Sequence, residues 1–278
     1  MAYSVLMSVY CKERAEYLLQ SLNSLAEQTK APSEIVLICD GPLTPELDAA
    51  IADFDRAHPH LLRIERLKRN MGLGNALRIG VPLCQNELIA RMDSDDICLK
   101  DRMQKQLNYF DAHPETDILS GAIYEFDVSP DKPVSKRAVP LTHDEIVRFS
   151  KTRSPFNHMA VMFKKSAVLK AGNYVERLRV EDHDLWIRML KSGAHAANLS
   201  DVLVYARCGS AMHTKRHGIK NFKALNSFYW DLYKTDYISL FRYLINIGGS
   251  FALQMMPPKL HKYAYKLLRK RPEQETVQ

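Results

Sequence analysis

The chain has 278 residues, 46% of them hydrophobic and 26% charged, which supplies a real core for one large or two small domains and excludes a disordered chain. Of the formal charge of +7, residues 207–278 hold 13 Lys/Arg against 4 Asp/Glu, so the preceding 206 residues carry a net −2. A near-neutral body with a basic tail predicts a tail that meets phospholipid, nucleic acid or a phosphate-bearing substrate, unless it is simply a solvated helical face. The five cysteines, Cys11, Cys39, Cys84, Cys98 and Cys208, are odd in number, far apart and form no CxxC pair. They argue against a zinc site or a disulfide framework and for a reducing compartment. Residues 1–10 show no signal peptide.

The first half alternates between two periodicities. Residues 4–10 (SVLMSVY) form an apolar strand, and 14–28 an amphipathic helix with Leu18, Leu22 and Leu25 on one stripe. Residues 34–39 (EIVLIC) read as a strand buried on both faces. Residues 45–58 are helical, with Thr44 as N-cap ahead of Pro45 at the first helical position. A strand at 61–67, a short helix at 73–83, a strand at 87–92, a helix at 99–113 and a strand at 117–126 complete a β-α-β-α-β-α-β-α-β series. This order predicts an α/β fold with a doubly wound, mostly parallel sheet and helices on both faces. Ligands of such sheets bind at the carboxyl ends of strands, where residues 10–13, Asp40-Gly41 and 93–96 fall.

The second half is less regular. Residues 130–140 contain three prolines and read as a loop. Helices are predicted at 142–151 and 181–191, and short strands at 159–163 and 202–206. After Arg207 the chain reads as helical and basic. Its most apolar stretch, 237–256, is broken by Arg242, Asn246, Gly248, Gly249 and Gln254, so it is predicted to lie in an interface or a core rather than to span a bilayer.

Three segments carry chemistry. Asp93-Ser94-Asp95-Asp96 ends an apolar strand with three carboxylates that repel one another. Hard oxygen donors of this kind suit Mg²⁺ or Mn²⁺ bound together with substrate phosphates; the same pattern also describes an acidic turn whose last Asp caps the next helix. Glu181-Asp182-His183-Asp184 opens a helix, either as acid favoured by the helix dipole or as a general base at the mouth of a site. In 69–76 (RNMGLGNA), Gly72 and Gly74 sit at a strand-to-helix junction and permit close approach of backbone to ligand. Leu77 stands where a dinucleotide fingerprint needs a third Gly, so a nicotinamide cofactor is disfavoured.

Taken in order, these residues resemble the family 2 glycosyltransferases, which have the GT-A fold. Ser8-Val9-Tyr10 with Glu13, Asp40-Gly41, Asn70-x-Gly72-Leu73 with Ala76 and Gly80, Asp93-x-Asp95-Asp96 and Glu181-Asp182-x-Asp184-Leu185-Trp186 follow the family's series of motifs over residues 4–207. Residues 40–47 (DGPLTPEL), with 209–218, are similar to the amylovoran-type branch, which builds bacterial exopolysaccharide and O-antigen repeat units. Arg78 departs from the Asn of many relatives and is given no role.

The resemblance implies a metal-dependent transferase that moves a hexose, with galactose in β linkage the best match, from a UDP-sugar to a lipid-diphosphate-linked saccharide. It implies that Val9, Tyr10, Glu13 and Asp40 hold the uracil, with Arg69 and Asn70 beside them. Asp93 would contact ribose or the metal shell, Asp95 would ligate Mn²⁺ or Mg²⁺, and Asp96 and Glu181 would support them. Asp182 would be the base of a single inverting displacement, and His213 has an open role. The expected organisation is a transferase domain at 1–207, with a nucleotide-binding half to 125 and an acceptor half from 126, then a helical basic extension at 208–278. In that extension Lys259, Lys262, Lys266, Arg269, Lys270 and Arg271 interleave with Leu260, Tyr263, Tyr265, Leu267 and Leu268. That pattern suits an anionic membrane surface at the cytoplasmic face and, with no nucleic-acid-binding signature, disfavours nucleic acid. The competing readings are a UDP-sugar-binding module without catalysis and a sugar nucleotidyltransferase; the latter expects a Gly-rich loop that Tyr10–Arg14 lacks.

Overall fold

The computed structural model describes residues 1–208 and 218–255. The elements run β1 (Tyr3–Val9), α1 (Ala15–Ala26), β2 (Glu34–Cys39), α2 (Pro45–Ala57), β3 (Leu62–Arg66), α3 (Leu73–Leu83), β4 (Leu88–Asp93), β5 (Ile97–Cys98), α4 (Arg102–Ala112) and β6 (Thr116–Phe126). They continue with β7 (Ser135–Arg137), α5 (His143–Ser150), a 3₁₀ turn (His158–Ala160), β8 (Met162–Lys164), α6 (Lys165–Lys170), α7 (Glu181–Lys191), β9 (His195–Arg207), α8 (Ile219–Lys234) and α9 (Leu240–Met255).

The period of two along the first strands sets the layers. Val5, Met7, Val9, Ile35 and Leu37 face a core with Leu18, Leu22 and Leu25 of α1 and Leu47, Ile51 and Phe54 of α2. Leu6, Val36 and Ile38 face the opposite core with Ala76, Leu77 and Val81 of α3 and Trp186 of α7. Every residue of β2 is therefore buried, as its unbroken apolar run requires. The predicted cap of α2 forms, with Thr44 accepting from the Leu47 amide at 3.4 Å and Pro45 following.

Strand order is β3-β2-β1-β4-β8-β6-β9-β5, with β7 on β6. β3, β2, β1 and β4 are mutually parallel. β8 then inserts antiparallel between β4 and β6, so the sheet is mixed rather than a simple parallel series. β6 and β9 pair parallel over most of their length, and β9 starts seven residues before the predicted strand at 202–206. Its polar residues Asn198, Ser200 and Asp201 hide it from an apolar-run reading. The predicted loop at 130–140 contains β7, held only at an edge of β6.

α8 packs on α7 through Ile187, Phe228, Tyr229 and Leu232, with Val180 and Ile238 completing the cluster and Tyr243 and Ile247 of α9 packed against it. The outward residues of α9 stay uncovered: Phe241 is 74% exposed and Leu244 58%. Among the described residues no helix is long and apolar enough to cross a membrane, and no cysteine is bonded to another.

Candidate active site

Parallel register brings the carboxyl ends of three strands to one edge. Val9 aligns with Cys39 and Ser8 with Asp93, so the loops after β1, β2 and β4 are neighbours. The loop after β1 is tied to the acidic loop: Ser94 donates through Oγ to Glu13 Oε2 at 2.9 Å, and Ser21 of α1 donates to the Asp93 carbonyl at 2.9 Å. Val9 is buried below this edge, and Tyr10 is exposed on it.

Asp40 is held by the turn that follows β3. It is buried, and its two carboxylate oxygens accept from the backbone amides of Met71 at 2.7 Å and Gly72 at 3.0 Å. Asn70 donates to the Asp40 carbonyl at 3.2 Å. Asp40 thus fixes the 70–72 turn at the strand-end edge. Gly41 lies so close to this turn that a Cβ would sit 2.6 Å from the Asn70 nitrogen, at a φ of 90°. Arg69 and Asn70 are exposed at the rim.

Two arginines hold the acidic loop. Arg91, 1% exposed on β4, pairs through Nη2 with Asp93 Oδ1. Arg207, at the end of β9, donates its amide to Asp96 Oδ1 at 2.7 Å and its Nε to the Asp95 carbonyl at 3.1 Å. Its guanidinium lies over Tyr17, 3.8 Å from the ring centroid, and bonds Gln20 Oε1. Even so, negative charge is in excess. Burial, then Asp93 and Glu13, push Asp95 up to about 7. Burial and Asp95 push Asp96 well above the usual carboxylate range, and its Oδ2 is buried without a hydrogen-bond partner.

Among the described residues no three His, Cys, Asp or Glu side chains converge into a complete cation cage. Mg²⁺ and Mn²⁺ are commonly held by one or two carboxylates, with phosphate and water completing the shell. The buried, unpartnered Oδ2 of Asp96 and the crowding of Asp93, Asp95 and Glu13 leave negative charge that a divalent cation would offset.

The helix α7 delivers the second half of the site. Asp182 stands in its first turn and accepts from Ser154 Oγ at 3.2 Å. Burial and Asp182 push Glu181 up to about 7, with Arg91 and Asp93 also acting on it. Tyr174, buried and raised by burial, feels Arg91, Asp182, Glu181 and Asp93 together, so the acidic loop and the start of α7 share one site. The turn at 70–76 is locked to the same place: Asn75 donates to Glu176 Oε2 at 2.7 Å, and a Cβ on Gly74 would be 2.8 Å from the Val175 carbonyl. His183 and Asp184 are structural. His183 meets the Ser150 carbonyl at 2.7 Å, and Asp184 pairs with Arg177 and Arg188.

Sequence reasoning gave no role to Arg91, Arg207, Ser94 or Ser154. Only Arg91 left a signal, a lone charge inside an apolar strand. His213, the 209–218 match apart from Gly218, and the basic run from Lys259 lie outside the described residues.

Comparison with known proteins agrees with this geometry. The family model "Glycosyl transferase family 2" matches residues 4–170. An uncharacterized glycosyltransferase of Haemophilus influenzae is 41% identical over 95% of this chain and 98% of its own. The amylovoran biosynthesis glycosyltransferase AmsE of Erwinia amylovora is 42% identical over 80% of this chain and 82% of its own. The UDP-Gal:alpha-D-GlcNAc-diphosphoundecaprenol beta-1,3-galactosyltransferase of Escherichia coli is 36% identical, with 95% of each chain covered. Two solved structures share the fold at low identity. S. aureus TarS 1-349 in complex with UDP-GlcNAc has a TM-score of 0.63 at 18% identity, covering 94% of this chain and 69% of that one. The mannosyltransferase PcManGT of Pyrobaculum calidifontis, in complex with GDP-Man and Mn²⁺, has a TM-score of 0.62 at 17% identity, covering 96% and 79%. The chain belongs to glycosyl transferase family 2, and its relatives together with its sheet make it a glycosyltransferase of the GT-A fold.

Proposed function

We propose that this enzyme transfers a hexose, galactose in β linkage being the best match, from a UDP-sugar to a saccharide carried on a lipid diphosphate, in assembly of a bacterial polysaccharide or O-antigen repeat unit. The observation that carries the reading is that Glu181 and Asp182, at the start of α7, lie within electrostatic reach of Asp93 and Arg91, and Asp93 in turn acts on Asp95, so the acidic loop at the strand ends and the first turn of α7 are neighbours. The near-complete overlap with the Escherichia coli galactosyltransferase supports the donor and the acceptor class.

In this reading Asp93 and Asp95 hold Mn²⁺ or Mg²⁺, which when bound neutralises charge on the leaving diphosphate. Tyr10 and Glu13 flank the base and ribose, with Arg69 and Asn70 at the rim. Asp40 sets the 70–72 turn, Asp96 anchors the acidic loop through Arg207, and Glu181 supports the metal side. Asp182 takes the proton of the acceptor hydroxyl as the glycosidic bond forms, and a single displacement inverts the anomeric carbon. Ser154 holds the carboxylate of Asp182 in position. Holding donor and acceptor together on rigid elements supplies much of the acceleration. Residues 1–207 form the transferase unit, and the rest brings it to the inner face of the cytoplasmic membrane through the basic tail.

The test is UDP release from a panel of UDP-sugars with Mn²⁺ and a synthetic lipid-diphosphate N-acetylhexosamine. Asp182→Asn should lose about 10²- to 10⁴-fold in turnover and still bind UDP with metal. Asp95→Ala should lose both. Turnover that survives Asp182→Asn sinks the base assignment; metal-dependent UDP binding with no turnover of any donor by the wild type favours a binding module.

A further inference from the structure

A broad, open depression of about 610 Å³ lies between α5 and the start of α9, lined by Leu141, Glu145, Arg148, Phe149, Thr152 and Arg242, among others. Resting on the reading of a lipid-diphosphate acceptor, we propose that this cavity is the subsite for the acceptor's diphosphate. In it Arg148 and Arg242 hold the phosphates, and the apolar face of α9 receives the lipid.

One wall of the depression is close along the chain to the residue that meets Asp182. Thr152 lines it, and Ser154, whose hydroxyl meets Asp182, follows at most about 7 Å along the chain. One sugar residue separates the diphosphate of such an acceptor from its reacting hydroxyl, so the subsite and the base must be near each other, as Thr152 and Ser154 are along the chain. The turn between cavity and base is braced from the α8–α9 side. Tyr237 and Ser150 share a hydroxyl contact at 2.6 Å, Tyr229 donates to the Thr152 carbonyl, and Asn246 of α9 donates to the Lys151 carbonyl at 2.9 Å.

The charge suits an anion. Arg148 and Arg242 are both exposed at the cavity, and Arg153 stacks its guanidinium on the lining Phe149 at 5.5 Å. Glu145, the one carboxylate in the lining among the described residues, has its Oε2 committed to the amides of Leu141 and Thr142 in the capping box of α5. Two arginines lining one open depression are a pair of cations suited to a diphosphate.

The lipid has a place to go. Of the exposed residues described on α9, every one but Arg242 is apolar: Leu240, Phe241, Leu244, Ile245, Phe251, Ala252 and two glycines. Arg242 therefore stands where that apolar surface meets the cavity. At the rim, Trp230 packs against Tyr233 and Tyr243, with Lys234 over its ring at 5.4 Å, a grouping that suits the boundary between headgroups and acyl chains.

The experiment is calorimetric titration of farnesyl diphosphate into the full-length protein with EDTA present, so that the metal-dependent donor site is silent. Arg148→Ala and Arg242→Ala should each weaken binding about ten-fold or more, the double variant should abolish it, and Arg242→Lys should restore part of it. A second readout is the ratio of catalytic efficiencies on a diphosphate-linked acceptor and on a neutral alkyl glycoside of the same sugar; it should fall through a rise in KM for the diphosphate acceptor. Unchanged binding in the double variant, or an equal loss on both acceptors, overturns the assignment. It is also overturned if the arginine variants lose adhesion to phosphatidylglycerol vesicles and keep farnesyl diphosphate, because the cations then serve phospholipid headgroups. Arginine-dependent binding of farnesyl diphosphate by a protein that turns over no UDP-sugar would uphold the subsite and sink the proposed reaction instead.

Discussion

Replacing Arg91 by Met tests the electrostatics of the site directly. The guanidinium is fully buried and pairs with Asp93, while Asp95 and Asp96 add charge that it also offsets. Breaking a buried pair by removing one partner costs about 3–5 kcal/mol. Two features reduce this: Asp93 keeps 31% of its side-chain surface exposed, and Arg91 Nε and Nη1 have no hydrogen-bond partner, so their burial is already unfavourable. We expect a loss of about 2 kcal/mol at pH 8. The loss should shrink at pH 5, where Asp95 is protonated and less charge needs offsetting. Urea unfolding of wild type, Arg91→Met, Asp93→Asn and the double variant at both pH values measures it as a cycle. In the Asp93→Asn background the cost of Arg91→Met should fall below about half its value. An equal cost in both backgrounds, or a cost that grows as the pH falls, refutes the argument.

Glu181 and Asp95 both hold protons up to about pH 7 in the folded chain and lose them near their ordinary values of 4.5 and 3.8 when unfolded. The folded state thus binds more protons between about pH 4 and 7, and metal-free stability should fall as pH rises through that window. Mn²⁺ should then raise the melting temperature more at pH 8 than at pH 5.5; a metal-free melting temperature that climbs across the window contradicts the charge excess. Gly74→Ala puts a Cβ 2.8 Å from the Val175 carbonyl and 3.4 Å from Glu181 Cβ. It should cost about 1–3 kcal/mol in chemical unfolding and misplace the start of α7, visible as reduced turnover. A fully active, undiminished variant would mean that this contact does not position the site. Phe241→Ser with Leu244→Ser should weaken sedimentation with anionic vesicles by about ten-fold or more, since each buried side chain of this size contributes about 1.5–3 kcal/mol; unchanged sedimentation would leave the basic tail as the whole attachment.

Much of the fold is written in local sequence. The strand β2 declares itself because all its residues are apolar or capped at the sheet end, and α2 because Thr44 and Pro45 start it in the only way Pro tolerates. The helix α7 was legible from its acidic first turn, and its residues 181–191 fall where the pattern puts them. The 93–96 and 181–184 segments could likewise be picked out as reactive, because carboxylates crowd at a strand end and at a helix start.

What could not be read was which of these charges face each other. Asp40 and Asp182 look alike in sequence, yet the backbone amides of Met71 and Gly72 take up one, while a single Ser154 hydroxyl meets the other. Arg207 reaches the acidic loop across more than a hundred residues because β9 pairs with β6 and β5, a pairing that no local pattern encodes. The insertion of β8 between β4 and β6 likewise depends on three residues whose partners lie far away. Sequence determined the elements and the chemical types at their ends, since periodicity and capping act within a few residues. Tertiary structure alone decided which carboxylates are spent on backbone, which share one buried site and which cations offset them, since desolvation and Coulomb energy depend on distance in space.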